Sequence, residues 1–257
     1  MKIAVLQSTG VVGECQKNLA RLEAAAQRAH AAGAALLVTP ELFVSGYDPL
    51  AVHAGDGASQ RTSMAEIAAT AQIALVGSTV EADSGHRYIS ASLFDSLGRE
   101  VTRYRKQHLF GGDESLVFHA GTDAPELVRV GEFTAALGIC FDIEFPEFAR
   151  EQALRGADLL LIPTAVPLRE ERSGAPHPLD TRILSTIVVP ARAFESQLFI
   201  AYANQAGAKF SGHSTVADPY GRRLVTAGDG DELIFAELDS SVVSQARSDV
   251  EYLSYFK

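Results

Sequence analysis

The stretch from Phe133 to Pro146, FTAALGICFDIEFP, constrains this chain more than any other. It opens as a continuous apolar run with small residues at Ala135, Ala136 and Gly138. It turns acidic just after Cys140, at Asp142 and Glu144. An apolar run of this length, bounded by turn residues, reads as a strand buried on both faces, the kind found in parallel sheets. Pro146 then opens FPEFAREQALRG, a helix with Glu147 in its first turn and Gly156 to stop it. Cys140 therefore stands where a buried strand gives way to a tight turn before a helix. Open α/β sheets bind ligands at such carboxyl ends of strands, and a nearby helix start favours a thiolate over a thiol. Most free cysteines are small buried hydrophobes, so position alone leaves nucleophile and packing residue both open.

The rest of the chain alternates in the same way. Lys2–Ser8 reads as a strand, 15–32 as a helix ended by Gly33, Ala34–Thr39 as a second buried strand ending in Pro40-Glu41. A helix over 60–72 and a strand over Ile73–Thr79 follow. Arg87–Phe94 and Glu100–Arg105 flank the turn DSLGR and predict an antiparallel hairpin. HSTVAD and RLVTA flank a second turn of the same form, DPYGR, at Asp218–Arg222. The pair reads either as a faint internal repeat, two halves each ending in a hairpin, or as chance, since Asp and Gly dominate turns anyway. Between the hairpins lie a connecting loop (106–125), the strand Leu159–Pro163, a Gly/Pro-rich loop over 164–179, and a helix from Asp180 to Glu195 that Pro190 kinks or splits. No stretch has the length or composition of an interdomain linker. The expectation is one α/β domain over 1–257, with two mixed β-sheets between helix layers.

Charge and cysteine usage exclude several functions. A formal net charge of −10 argues against a nucleic-acid partner, which needs a basic surface. No apolar run is long enough to span a bilayer, and the first residues lack the pattern of a signal peptide. Two cysteines, Cys15 and Cys140, give no disulfide framework, so the expected compartment is the reducing cytoplasm. Cys15 reads as structural. No Cys/His cluster has zinc-ligand spacing, so no metal is expected, and no G-x-x-x-x-G-K phosphate loop occurs.

Three reactive side chains follow strand ends or leave a hairpin: Glu41 after AALLVTP, Lys106 after EVTRYR, and Cys140 after TAALGI. Their flanks are distinctive: P-E-L-F-x-S-G-Y at Pro40–Tyr47, Y-R-K-x-H-L-F at Tyr104–Phe110, and G-I-C-F-D-I-E-F-P-E at Gly138–Glu147. In this order and spacing the three blocks resemble the signatures of the nitrilase superfamily, the carbon–nitrogen hydrolases. Ala191–Glu195, Phe199–Asn204 and Gly212–Gly221 extend the resemblance over essentially the whole chain. The resemblance implies a four-layer αββα sandwich and a Glu41–Lys106–Cys140 triad. It also implies a second acid after the lysine, which Glu114 in GGDES supplies, with Asp113 as the neighbour open to confusion with it. Dimers formed through helix faces, larger assemblies and a cofactor-free mechanism are implied as well.

The chemistry calls for these residue types. A thiolate is the strong nucleophile at neutral pH and a nearby carboxylate can take its proton. The same carboxylate must return that proton to ammonia and then activate water. Lys106, with the backbone N–H of Phe141, would hold the oxyanion. The chain has no Trp, whereas family nitrilases commonly carry Trp after the cysteine. C-F-D-x-E-F-P-E looks like the amidase branches instead. The acidic flanks point to a small neutral or cationic amide, with nitrilase and N-carbamoyl hydrolase as sister alternatives and a catalytically silent binding protein as the alternative of another class. Asp142 and Glu144 read equally as helix-start caps or partners of Arg150. Tyr47, Phe141, Asp142, Thr164 and Ala165 are the expected pocket residues, and His108 is read as structural.

Overall fold

The computed structural model describes residues 1–169 and 177–256. Two six-stranded sheets with the same plan organise it. In the first, β1 (Lys2–Gln7), β2 (Leu36–Val38) and β3 (Ala74–Asp83) run parallel, followed by the antiparallel hairpin β4 (His86–Phe94) and β5 (Glu100–Arg105). In the second, β7 (Phe133–Leu137), β8 (Leu159–Pro163) and β9 (Phe199–Ala203) run parallel, followed by the hairpin β10 (Thr215–Ala217) and β11 (Arg223–Thr226). Each sheet gains an antiparallel outer strand beside its first. These are β12 (Glu232–Glu237) on β1 and β6 (Val128–Val130) on β7.

Side-chain alternation along β1 fixes the layers. Ile3 and Val5 pack with Leu137, Leu159 and Leu161 of the second sheet. Ala4 and Leu6 pack with Leu22, Ala26 and Ala29 of α1 (Cys15–Ala31) and with Met64 and Ala68 of α3 (Ala58–Ala71). One face of each strand thus fills the space between the sheets and the other meets helices, the period-two rule of strands. On the far side, Phe148, Ala149 and Ala153 of α5 (Pro146–Leu154) and Val189 and Ala193 of α6 (Val189–Ser196) join the inter-sheet core's cluster. The result is the expected αββα sandwich with two mixed sheets. The short helix α2 (Pro49–Val52) and the helix α7 (Ser241–Asp249) lie outside these layers in sequence.

The two D-x-x-G-R turns are built alike. Asp95 Oδ1 accepts the N–H groups of Leu97 and Arg99, and Asp95 Oδ2 accepts Arg99 Nε at 2.7 Å. Asp218 repeats this with Tyr220 and Arg222, again with Nε to Oδ2 at 2.7 Å. Gln72 after α3 and Gln197 after α6 both take left-handed backbone, φ 53° and 52°, before the third strand of their sheet. The hairpin repeat therefore belongs to a repeat of the whole half-chain.

Three expectations need correction. The segment 106–125 is not all loop, because Gly111–Val117 forms a helix, α4. The helix expected over 180–195 is a π-helical turn at Leu184–Val188 running into α6. Pro190 has no N–H for the carbonyl one turn back, and the chain enters α6 through that widened turn. The third strand runs on to Asp83. Part of the loop read over 164–179 lies outside the described residues. Among the described residues no helix is long and apolar enough to cross a membrane, and no group of three or more His, Cys, Asp or Glu is placed to hold a metal ion.

Candidate active site

Glu41, Lys106 and Cys140 leave their strands at one end of the sandwich. Glu41 follows β2, and the next residue, Leu42, has φ 50°. The Glu41 N–H donates to the Thr164 carbonyl at 3.2 Å, which ties Glu41 to the end of β8 in the other sheet. Lys106 follows β5 directly; its N–H donates to Ile89 and its carbonyl accepts from Gly121. Cys140 opens a 3₁₀ turn, Cys140–Glu144, with φ 47°. A non-glycine residue held in left-handed backbone is strained, and such strain gathers at functional sites.

The side chains meet in the interior. Lys106 is fully buried. Its Nζ donates to Glu41 Oε1 at 2.7 Å and to both Glu114 oxygens at 2.8 and 2.9 Å. A buried ammonium without such partners would be strongly disfavoured. Glu114 is placed by α4 and accepts the N–H of Phe110, the residue before that helix, at 2.7 Å, while Tyr47 Oη donates to it at 2.6 Å. Asp113, one residue earlier, points to solvent, so Glu114 is the acid that reaches the lysine. Glu41 Oε2 is buried and has no hydrogen-bond partner among the described residues.

Electrostatics give each group a resting state. Burial pushes Glu41 up from about 4.5 to about 7, against the pull of the Lys106 ammonium and a smaller one from the Cys140 side chain. Burial also acts to lower Lys106, but the charges of Glu41 and Glu114 outweigh it and its pKa rises, so it stays an ammonium. Burial, then the Glu41 charge, pushes the Cys140 thiol well above its usual range, more than Lys106 and the Ala165 N–H lower it. This corrects the expectation of a helix-stabilised thiolate: α5 begins only at Pro146, and the carboxylates lie nearer. Burial and the Glu41 and Glu114 charges also raise Tyr47, which stays a phenol donor.

Cys140 opens onto a cavity of about 250 Å³. Phe110, Ala165, Val166, Pro167 and Leu184 wall it, with Glu144, Arg169 and Thr181 as its polar members. Of the pocket residues expected from sequence, Ala165 lines it. Tyr47 stands behind it, on Glu114. Phe141 packs edge-on against Phe110 and Phe145 at 5.3 and 5.0 Å. Thr164 is a scaffold: its carbonyl accepts from Glu41 and Gln205 and its hydroxyl bonds the Ile162 carbonyl. Asp142 is the clearest correction. Its buried carboxylate accepts Tyr104 Oη, Ile139 N–H and both His108 N–H and Nδ1, so it braces the turn instead of meeting a substrate. His108, stacked on Phe145 at 4.0 Å, is committed to that brace. Glu144 neither caps α5 through its side chain nor pairs with Arg150, which reaches Glu195 at 3.7 Å. It faces the cavity. The wall from 179 to 184 carried no local signal, because only the fold brings it over Cys140. A larger groove of about 570 Å³ lies behind β5, lined by the ion-paired Glu81, Arg103 and Arg105, and does not include Cys140.

A thiol at a cavity, a carboxylate with one oxygen unused and a fixed ammonium together make a site suited to nucleophilic hydrolysis. The sequence pattern of the Carbon-nitrogen hydrolase family matches residues 2–248. The chain is 37% identical to a hydrolase in the pqqF 5′ region of Pseudomonas protegens, over 99% of this chain and 88% of that protein. It is 30% identical to the 2-oxoglutaramate amidase of Bacillus subtilis, over 96% and 94%. A glutamate-to-glutamine mutant of the amidase from Nesterenkonia sp. AN1, solved with the acetamide moiety of fluoroacetamide covalently added at its active-site cysteine, matches with a TM-score of 0.85. The identity is 34%, over 95% of this chain and 92% of that one. A cysteine-to-alanine mutant of the same amidase in complex with butyramide matches with a TM-score of 0.85 at 33% identity, over 98% and 95%. The chain belongs to the carbon–nitrogen hydrolase family.

Proposed function

We propose that this chain, as a single domain, hydrolyses small carboxylic amides to acid and ammonia, with Cys140 as nucleophile, Glu41 as general base and acid, and Lys106 as oxyanion holder. The resting thiol is protonated and Glu41 is poised near neutrality, so attack and proton transfer are coupled. Sulfur adds to the amide carbonyl as Glu41 takes the thiol proton. Lys106 and the Phe141 N–H stabilise the oxygen as it becomes negative. Glu41 gives its proton to the departing ammonia, leaving a thioester on Cys140. Water, deprotonated by Glu41, adds to the thioester; the acid leaves and Glu41 returns the proton to sulfur. Glu114 fixes Lys106, so the ammonium is already in place when charge develops.

The observation that carries this reading is the Lys106 ammonium shared between Glu41 and Glu114, with Glu41 Oε2 given no hydrogen-bond partner among the described residues. The cavity is smaller than the about 300–1,000 Å³ of ordinary ligand sites, which suits a small amide. Ammonia release from amide, nitrile and N-carbamoyl panels tests it, with intact mass after an acid quench to catch the acyl adduct. Amides should be turned over, and Cys140→Ala should abolish both turnover and adduct. Turnover by Cys140→Ala, or release from nitriles alone, would overturn it.

The exposed apolar residues Leu154 at 44%, Ile187 at 62% and Phe194 at 41%, on and beside α5 and α6, support a homodimer formed through those helices. Sedimentation equilibrium tests this. Two free cysteines support a cytoplasmic setting.

A further inference from the structure

Glu144 is an acid in a mostly apolar cavity wall. It lies four residues after Cys140, at the end of the same 3₁₀ turn. Its main chain is fixed from outside: Arg192 donates to the Glu144 carbonyl at 2.8 Å and to the Ile143 carbonyl at 3.2 Å. The remaining contact of Arg192 goes to Glu195 at 2.9 Å, and Arg150 also reaches Glu195. Among the described residues the Glu144 carboxylate makes no salt bridge and no hydrogen bond. Its cavity neighbours include Ala165, Val166, Leu179 and Leu184. The cavity's other charged member, Arg169, is exposed and sits over the Phe110 ring at 5.2 Å, so it belongs to the rim. Burial raises the pKa of Glu144, more than Arg169 and the other cations lower it. A half-buried carboxylate with no partner among the described residues is in want of a donor.

We propose that Glu144 is a specificity-determining residue that selects amides carrying an ammonium a few bonds from the carbonyl, over amides that carry a carboxylate there. The inference rests on the amide-hydrolase reading above. The fixed turn spaces the selector from the nucleophile: Cys140 receives the amide carbon while Glu144 meets the substrate's far end. An ammonium there pairs with the carboxylate inside a wall of low polarity, where the attraction is screened less than in water. A carboxylate there is repelled.

Three amides of similar length test this: 3-aminopropanamide, its uncharged isostere butyramide, and succinamate. Affinity is measured calorimetrically in Cys140→Ala, which reads selection without turnover, and kcat/KM by ammonia release in the cysteine-bearing enzyme. The expected order is 3-aminopropanamide, butyramide, succinamate, with about tenfold or more between the first and last, the scale of one partly screened charge pair. Glu144→Gln should shrink that ratio by about tenfold and Glu144→Arg should invert it. Equal affinity for all three overturns the selection, while butyramide turnover would leave the amidase reading standing. Ordered affinities without ammonia release sink the amidase reading and keep the selection. A preference for succinamate that vanishes in Arg169→Gln makes Arg169 the selector and overturns the role given to Glu144. Uniform slowing by Glu144→Gln, with ratios unchanged, does the same.

Discussion

Gln205 Nε2 donates to the main-chain carbonyl of Glu41 at 2.8 Å, across the junction between the two sheets. Gln205 follows β9, and its Oε1 also accepts the Gly10 N–H at 3.3 Å. Its own N–H shares the Thr164 carbonyl with that of Glu41. The catalytic candidate of one sheet is thus positioned by the end of the other. Gln205→Leu would leave the Glu41 carbonyl buried and unpaired, a cost of about 1–3 kcal/mol. A displacement of about 1 Å in a reacting group can cost about 10²-fold in rate. The expected result is kcat down by about 10- to 100-fold with KM changed far less, read from steady-state ammonia release beside a thermal melt. A lower Tm with undiminished kcat would make Gln205 a packing residue only.

The pKa of Glu41 sets two opposed pH trends. Burial raises it to about 7, and a general base must be ionised, so kcat/KM should rise with pH through about 7 and level off above it. Stability runs the other way for this group. Between about 4.5 and about 7 the folded chain keeps a proton on Glu41 that the unfolded chain has lost. The contribution of Glu41 is therefore fully present below that window, falls as pH rises through it, and is constant above. Glu41→Gln should abolish turnover and flatten this part of the Tm–pH curve. Calorimetry across the window, with the rate profile alongside, checks both signs; an acid limb near pH 4 would show that Glu41 is not held as described.

Much of this was legible in the sequence because it is local. The buried runs at Phe133–Leu137, Leu159–Pro163 and Phe199–Ala203 declare themselves by continuous apolarity, and the two Asp–Gly–Arg turns by their residue types. The residues that meet in the cluster, Glu41, Lys106, Cys140 and Glu114, stand out through their flanking blocks. What was hidden depends on direction and distance. Asp142 and Glu144 are two residues apart in one acidic turn, yet one faces Tyr104 and His108 and the other faces the cavity. Composition carries no sign of which is which. The same holds for Thr181 and Leu184, which reach the cavity only after the chain has crossed the second sheet. The state of the Cys140 thiol turned on burial and nearby carboxylates, which outweigh a helix start six residues on.

Gly138 shows how tightly the strand before Cys140 is packed. A Cβ there would come within 2.7 Å of Phe148 Cε1 and 2.8 Å of Ile162 Cδ1. Both neighbours are buried, on α5 and β8. Neither can swing into solvent, so Gly138→Ala must push α5 or the strand. Overpacking of this kind costs about 1–3 kcal/mol, and each kcal/mol lowers Tm by about 2–4 °C in a chain of this size. A melt of Gly138→Ala should fall by about 2–12 °C, and an unchanged Tm would mean that this contact relaxes freely.

Asp142 braces the turn that carries Cys140. One carboxylate oxygen accepts the N–H and Nδ1 of His108 at 2.9 and 2.8 Å, and the other accepts Tyr104 Oη and Ile139 N–H at 2.9 and 3.0 Å. An ionised carboxylate can accept all four donors, whereas an amide offers one acceptor oxygen and turns an NH₂ toward the remaining donors. Asp142→Asn therefore leaves buried donors unmatched at about 1–3 kcal/mol, on the turn that holds Cys140 at φ 47°. Activity and the rate of Cys140 alkylation by iodoacetamide should both fall, by about tenfold or more, since the sulfur is no longer held toward Glu41. His108→Phe keeps an aromatic ring to stack on Phe145 and removes a single donor, so its losses should be smaller. Equal losses in the two variants would place the brace in the His108 ring and not in the Asp142 carboxylate.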